Sequence, residues 1–315
     1  MKACVPVLIL AIAISAAEPP EAMQHARASY ERAKQGDLAG AADEMRGAIR
    51  LAPENPLYLS ALGGIAARQW EAGQSGQARE NAAIVADAQP GNTKARELLE
   101  EISLDLGAEL AKARRFKAGL TLAQDTARRF PASARAQQMF GLFLTRNQQN
   151  PAAVGAYRKA LSLSPESIDV SVGLGIAETM AGLLPEAVKA LESGIRKWPG
   201  DAAHYQAFGV LLLRMADEGS DTEAQGVRML VKALELQPAL PEAHYQLGNL
   251  ALKRGDSSKA IEHLVMALRN GGESSKVHFA LSRAYRAAGN APDSEKHAAL
   301  FREQKEREQQ PESER

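Results

Sequence analysis

The chain has 315 residues with 38 basic and 38 acidic side chains, so its formal net charge at pH 7 is zero. A balanced charge removes any general reason to expect nucleic acid, an acidic substrate or a membrane surface as the partner. Cys4 is the only cysteine. Intramolecular disulfides are therefore excluded, and removal of the leader described next would also exclude thiol redox chemistry and a cysteine-bound metal.

The first residues have the three parts of a secretory signal peptide. Lys2 precedes an apolar run over residues 5–14, and the small residues 15–17 follow it. We expect residues 1–17 to be a signal peptide cleaved after Ala17, and 18–21 to be a short linker. The chain would then be exported to the periplasm or the extracellular space, with no transmembrane span in its mature form. The alternative is an uncleaved leader that is kept as an anchor.

Prolines, glycines and small residues recur along the rest of the chain. The prolines are spaced by 37, 41, 34, 34 and 39 residues, at Pro53, Pro90, Pro131, Pro165, Pro199 and Pro238. Glycines follow a period of 34 residues at Gly107, Gly141, Gly175 and Gly209. Pro238 and Gly248 each come 39 residues after the preceding member of their series, five more than the period of 34. One unit therefore carries an insertion between Gly209 and Pro238. The pattern indicates a repeating supersecondary unit of about 34 residues.

Each period has the same internal order of markers. An apolar residue followed by glycine comes first, then an alanine, a tyrosine or leucine, a small residue and a proline, as in Leu174, Gly175, Ala187, Leu191, Gly194 and Pro199. This order resembles the tetratricopeptide repeat. The resemblance implies an all-α fold, an α-solenoid that forms a right-handed superhelix of about eight helix-turn-helix repeats. Histidine stands at His25, His244 and His278, where the family pattern has an aromatic residue.

The periodicity divides the chain into eight units followed by a disordered polar tail over residues 309–315. The units are 22–55, 56–92, 93–133, 134–167, 168–201, 202–240, 241–274 and 275–308. Residues 93–114 predict a first helix about two turns longer than its counterparts. Turns are expected at Gly36, Gly182, Gly255 and Gly289. Close helix crossing predicts that Gly141, Gly175, Gly209 and Gly248 meet Ala160, Gly194, Ala233 and Ala267.

The histidines invite a metal hypothesis. His244 and His278 occupy one repeat position, and His263 and His297 occupy another. Equivalent positions in neighbouring repeats should lie about 8–10 Å apart or more, too far to share one ion unless the side chains rotate toward each other. We therefore expect packed or surface histidines and no metal site.

Acidic residues cluster in the insertion of the sixth unit, at Asp217, Glu218, Asp221 and Glu223. They lack the ligand spacing of a calcium loop, so we expect a solvated polar loop. The sequence also has no Gly-rich phosphate loop, nucleophile elbow or His-Glu-x-x-His helix. It predicts no catalytic residues and no cofactor, and hence a protein that is not an enzyme.

The resemblance implies that the first helices of successive units line a concave face. Its central part would consist of Gln138, Leu142, Val172, Ile176, Gln206, Val210 and Leu213, and its C-terminal part of Tyr245, Asn249, Leu252, Phe279, Arg283 and Arg286. Such a face suits a protein or peptide that offers apolar side chains and an acidic or carboxylate end. The alternative is an assembly scaffold, or an accessory subunit of an envelope or secretion complex, that uses the convex face or the ends.

Overall fold

The structure is a computed structural model that describes residues 19–272 and 274–310. These residues form sixteen α-helices and no strand. The helices are α1 Pro20–Lys34, α2 Leu38–Leu51, α3 Pro56–Glu71, α4 Ser75–Ala88, α5 Thr93–Lys112, α6 Phe116–Arg129, α7 Ala134–Arg146, α8 Asn150–Leu163, α9 Ile168–Met180, α10 Leu184–Lys197, α11 Ala202–Met215, α12 Asp221–Leu236, α13 Pro241–Lys253, α14 Ser257–Arg269, α15 Ser275–Ala287 and α16 Ala291–Gln309.

Consecutive helices pack in pairs, α1 on α2 through α15 on α16, joined by tight turns. This arrangement confirms the prediction of an all-α fold with about eight helix-turn-helix repeats. The predicted signal peptide and its cleavage site lie outside the described residues, as does most of the predicted tail. Helix α1 already begins at Pro20, and α16 extends to Gln309.

The turns follow the glycine pattern. Gly36, Gly182, Gly255 and Gly289 all have positive φ angles, between 76° and 86°. This left-handed conformation ends each first helix and is readily adopted only without a Cβ atom. Arg114 and Gln148 take the same kind of turn with φ of 57° and 62°. The turn is therefore kept even in repeats that lack the glycine.

Helix α5 has 20 residues, against 13 in α7 and in α9. The prediction of a first helix about two turns longer is confirmed. Its N-terminus is capped by Asn92, whose Oδ1 accepts a hydrogen bond of 3.1 Å from the amide of Ala95. Such a cap satisfies one of the amides that a helix end leaves without a partner.

The register between paired helices differs from the sequence prediction. A Cβ atom on Gly175 would lie 2.5 Å from Leu191, and one on Gly248 would lie 2.7 Å from the Leu264 side chain. Gly141 likewise faces Tyr157 rather than Ala160. The glycines of the first helices thus accommodate large buried residues one turn before the predicted small ones. Burial between these helices raises the pKa of Tyr157 to about 12.

The chain divides into two compact units, one up to Met139 and one from Phe140 onward. The core of the first unit includes Tyr58, Leu62 and Leu99, which are essentially inaccessible. The core of the second includes Leu191 and Leu264. In the two described stretches, 19–272 and 274–310, no helix combines the length and the apolar character needed to cross a membrane.

Candidate functional site

The first helices of the second unit form a continuous layer. Helix α9 contacts α11, α11 contacts α13, and α13 contacts α15. Each second helix packs mainly on the first helices beside it, so the second helices stand farther apart. The more closely spaced layer lies on the inner side of a curved stack. We call the exposed side of α9, α11, α13 and α15 the first-helix face.

The second unit contains twelve of the thirteen predicted groove residues, from Leu142 to Arg286. Gln138 lies in the part of α7 that belongs to the first unit. Ile176 and Phe279 are 40% and 48% exposed, and Arg283 and Arg286 are also exposed. The half-buried members are Gln138, Leu142, Val172, Gln206, Val210, Leu213, Tyr245, Asn249 and Leu252. The geometry thus leaves all thirteen at least partly accessible, which does not test whether they bind anything.

One methionine that the sequence analysis missed extends the apolar part of this face. Met180 lies one turn after Ile176 on α9 and is 44% exposed. Arg214 Nη1 lies 3.7 Å from the sulfur of Met180. Flexible thioether side chains adapt to irregular apolar partners. Met180 could have been found from the repeat register, since Arg146 and Arg214 stand one period of 34 residues before and after it.

The C-terminal part of the face combines aromatic and cationic groups. The Arg283 guanidinium lies 5.9 Å from the ring centroid of Phe279. Phe301 of α16 packs on Phe279 with ring centroids 5.2 Å apart, a contact that the groove prediction did not include. Arg286 lines a cavity of about 230 Å³ together with Glu295. Arg283 and Arg286 are both exposed.

Three arginines of the first helices have no ion-pair partner in the part of the chain that the structure describes. Across the described residues, Arg214, Arg283 and Arg286 take part in no ion pair. Two buried acids of these helices and their neighbours already have cationic partners: Glu178 pairs with Arg158 at 2.8 Å, and Glu223 pairs with Arg254. Exposed cations near apolar side chains can attract an acidic partner.

Glu223 corrects the prediction of a fully solvated acidic insertion. Residues 216–220 do form a connecting segment, but Glu223 lies in the first turn of α12 and is buried. The hydrogen bond from Arg254, aided by the amide of Gly219, lowers the pKa of its carboxyl group. The acid therefore joins two repeats. Sequence spacing could not show this, because Arg254 is 31 residues away.

Two pairs of histidines are in contact, each pair within a single repeat. His244 Nδ1 lies 3.1 Å from His263 Nδ1, and His278 Nδ1 lies 2.9 Å from His297 Nδ1. The members of each pair are 19 residues apart, whereas the sequence analysis compared residues 34 apart. The antiparallel hairpin brings the rings together. Each pair offers two nitrogens, and the described part of the chain contains no group of three or more His, Cys, Asp or Glu placed to hold a metal ion.

A serine, a histidine and an aspartate also form a relay that the sequence analysis did not find. His204 Nδ1 donates to Asp201 Oδ2 at 2.7 Å, and the Ser171 hydroxyl donates to His204 Nε2 at 3.1 Å. The order matches that of a hydrolytic triad. However, His204 is completely buried under Trp198, with ring centroids 5.3 Å apart. A substrate cannot reach the imidazole, so the relay links repeats and caps α11.

Comparison with known families supports the repeat architecture. Family models described as "Tetratricopeptide repeat" match residues 104–168, 139–202 and 229–262. The fold defines a protein made of repeated helical hairpins. The order of its markers and the paired helices agree with these matches, which identify tetratricopeptide repeats over residues 104–202 and 229–262.

A curated relative shares part of the sequence. Human interferon-induced protein with tetratricopeptide repeats 2 is 27% identical over 142 residues, which are 44% of this chain and 30% of that protein. This chain thus matches less than a third of the length of that relative.

Two solved structures share the fold over most of the chain. A tetratricopeptide repeat protein from Parabacteroides merdae is 21% identical, with 84% of this chain and 99% of that chain covered and a TM-score of 0.54. A monomeric mutant of IFIT1 with m7Gppp-AAAA is 16% identical, with 89% and 68% covered and a TM-score of 0.57. At these identities the likeness concerns the fold alone.

Proposed function

We propose that the chain is a non-enzymatic module that binds a protein or peptide on the first-helix face of its second unit. The partner offers apolar side chains and an acidic group or a carboxylate end. The observation that carries this proposal is the juxtaposition of exposed Ile176, Met180 and Phe279 with cations that form no ion pair.

Polar groups within the face support binding of an extended chain. Asn249 is half-buried on α13, where its carboxamide can pair with a peptide backbone. Gln206 Oε1 is buried without a hydrogen-bond partner. An unpaired buried acceptor is costly, and rotation of the side chain toward a donor on the ligand removes that cost. Because the receptor helices are held by their neighbours, little ordering of the receptor opposes binding.

Synthetic peptides test the proposal directly. The probes are fluorescent peptides of alternating leucine and glutamate, with a free or an amidated C-terminus, and matched peptides with lysine in place of glutamate. We expect the acidic peptides to bind the wild type, and Arg283→Glu with Arg286→Glu to weaken binding by at least about tenfold through charge reversal. Fluorescence anisotropy measures the affinity, and circular dichroism checks that the helices remain.

A matched control reverses two charges elsewhere. Lys189 on α10 and Arg228 on α12 are exposed cations of second helices. Lys189→Glu with Arg228→Glu makes the same change in net charge away from the first-helix face. Equal loss in both double variants, or equal binding of acidic and basic peptides, would contradict a specific cationic site.

We propose export as well, on the strength of the predicted signal peptide alone. The leader would direct the chain to the periplasm or the extracellular space, with cleavage after Ala17. N-terminal sequencing of protein isolated from the cell envelope or medium tests this. Recovery of an intact Met1 would contradict cleavage, and recovery only from the cytosol would contradict export.

A second candidate is an assembly scaffold or accessory subunit of an envelope or secretion complex that binds through the second helices. Leu163 on α8 and Val231 on α12 are 41% and 43% exposed and would be available for such contacts. Leu163→Asp or Val231→Asp should then disrupt co-purification of a partner, while the variants of the first-helix face leave it intact. The reverse pattern supports the first candidate.

A further inference from the structure

We propose that the two histidine pairs make the last two repeats, residues 241–309, an acid-sensitive segment whose helix pairs loosen below pH about 6. The proposal concerns the stability of α13–α16 and does not depend on peptide binding.

The hydrogen bonds around His244 determine where the protons lie. Its Nε2 is 3.1 Å from the carbonyl oxygen of Pro238, which can only accept, so Nε2 carries the proton. Neutral His244 therefore presents a bare Nδ1 to His263, and His263 Nδ1–H must donate across the 3.1 Å contact. The pair is held by a single proton between the two rings.

The second pair repeats this arrangement. His278 and His297 approach through their Nδ1 atoms at 2.9 Å, so one nitrogen donates and the other accepts. Tyr285 of α15 also stacks on His297, with ring centroids 5.5 Å apart. His297 thus contacts two rings of α15 and joins α16 to that helix.

Acid removes the acceptor in each pair. If both imidazoles are charged, both Nδ1 atoms carry protons that point at each other across about 3 Å, and two positive charges meet in a half-buried site. The folded neutral pair can take up at most one additional proton, whereas the two histidines of the unfolded chain can each take up one. Stability must therefore decrease as the pH falls, because the unfolded state binds more protons.

The charges that act on His263 and His297 do not offset this effect. Burial lowers the pKa of His263, and His244 of α13 lowers it further against a raising effect of Glu262. Burial also lowers the pKa of His297, assisted by His278 of α15 and Lys296, while Asp293 opposes them. A lowered folded-state pKa means that the stabilisation is complete above the unfolded value of about 6.5 and is lost as pH falls through the folded value.

In the first unit, a histidine of the same kind of hairpin faces a carboxylate instead of a second histidine. His25 Nδ1 lies 2.7 Å from Glu44 Oε2, at the same 19-residue separation as the histidine pairs. Protonation of His25 creates an ion pair rather than a repulsion. Mild acid should therefore leave the α1–α2 hairpin folded while it loosens α13–α16. We expect the response to be local to the last two repeats.

Hydrogen exchange on the full chain measures the response, with EDTA present to exclude metal. We expect exchange of α14 and α16, corrected for the intrinsic pH dependence, to accelerate by about tenfold per pH unit for each histidine between its folded and unfolded pKa. Helices α2 and α4 should not follow. The double variant His263→Asn with His297→Asn keeps a donor without the titration, and should lose the acid response; His25→Asn is the matched control and should retain it.

Proton NMR titration of the wild type gives an independent readout that needs no variant. We expect His263 and His297 to titrate below about 6.5, the value of an unperturbed histidine. Values at or above that figure would overturn the proposal. So would an unchanged acid response in the double variant.

Discussion

Single glycines determine how closely the helices approach. Gly194 lies on α10, and a Cβ atom there would be 2.1 Å from the His204 ring of the next repeat. That ring cannot move freely, because Asp201 and Ser171 hold both of its nitrogens. The contact explains why the small position before Pro199 is a glycine. Its partner is a ring of the next repeat, and not the glycine of its own hairpin.

We predict that Gly194→Ala destabilises the second unit by about 2 kcal/mol, the usual cost of overpacking. Gly155 on α8 is the matched control, since nothing lies within 4 Å of a Cβ atom built there. Gly155→Ala should be neutral or stabilising by up to about 1 kcal/mol through helix propensity. Urea denaturation of both variants measures the difference. Equal effects would show that helix propensity alone governs these positions.

Between elements, a buried carboxylate links consecutive repeats. Glu178 of α9 has a side chain only 4% exposed and accepts from Arg158 of α8 at 2.8 Å. Its second oxygen, Oε2, is buried without a partner. The hydrogen bond from Arg158 therefore compensates a charge that the interior otherwise leaves poorly solvated.

We predict that Arg158→Ala lowers the free energy of unfolding by about 2 kcal/mol, because it leaves Glu178 buried and unpaired. Arg196, which is 3.8 Å from Glu192 with both side chains exposed, provides the control. Its replacement by alanine should cost no more than about 0.5 kcal/mol, since solvent screens exposed pairs. Thermal and urea unfolding report both values. A small loss for Arg158→Ala would mean that Glu178 reaches solvent or another donor.

At the scale of the whole molecule, stability is distributed among neighbouring repeats. Contacts join each helix mainly to those next to it in the chain. In such arrays, free energies are approximately sums over repeats and their interfaces. A local loss should therefore remain local.

We predict that Leu264→Ala, at a fully buried position of α14, costs about 3 kcal/mol and accelerates hydrogen exchange in α13–α16. Leu62→Ala, at an equally buried position of α3, should accelerate exchange in α1–α4 instead. Exchange in the other unit should stay unchanged in each case. Uniform acceleration over the whole chain would show a single cooperative transition and contradict the repeat description.

The sequence by itself determined the helical repeat, the positions of its turns and the long first helix of the third unit. These features depend on local conformational preferences and on a period that many residues share. The tertiary structure decided which residues meet across the hairpins: glycine against Leu191, His244 against His263, and Glu223 against Arg254. Those contacts depend on helix register and side-chain rotamers, and a shift of one helical turn leaves the sequence period unchanged while it changes every partner.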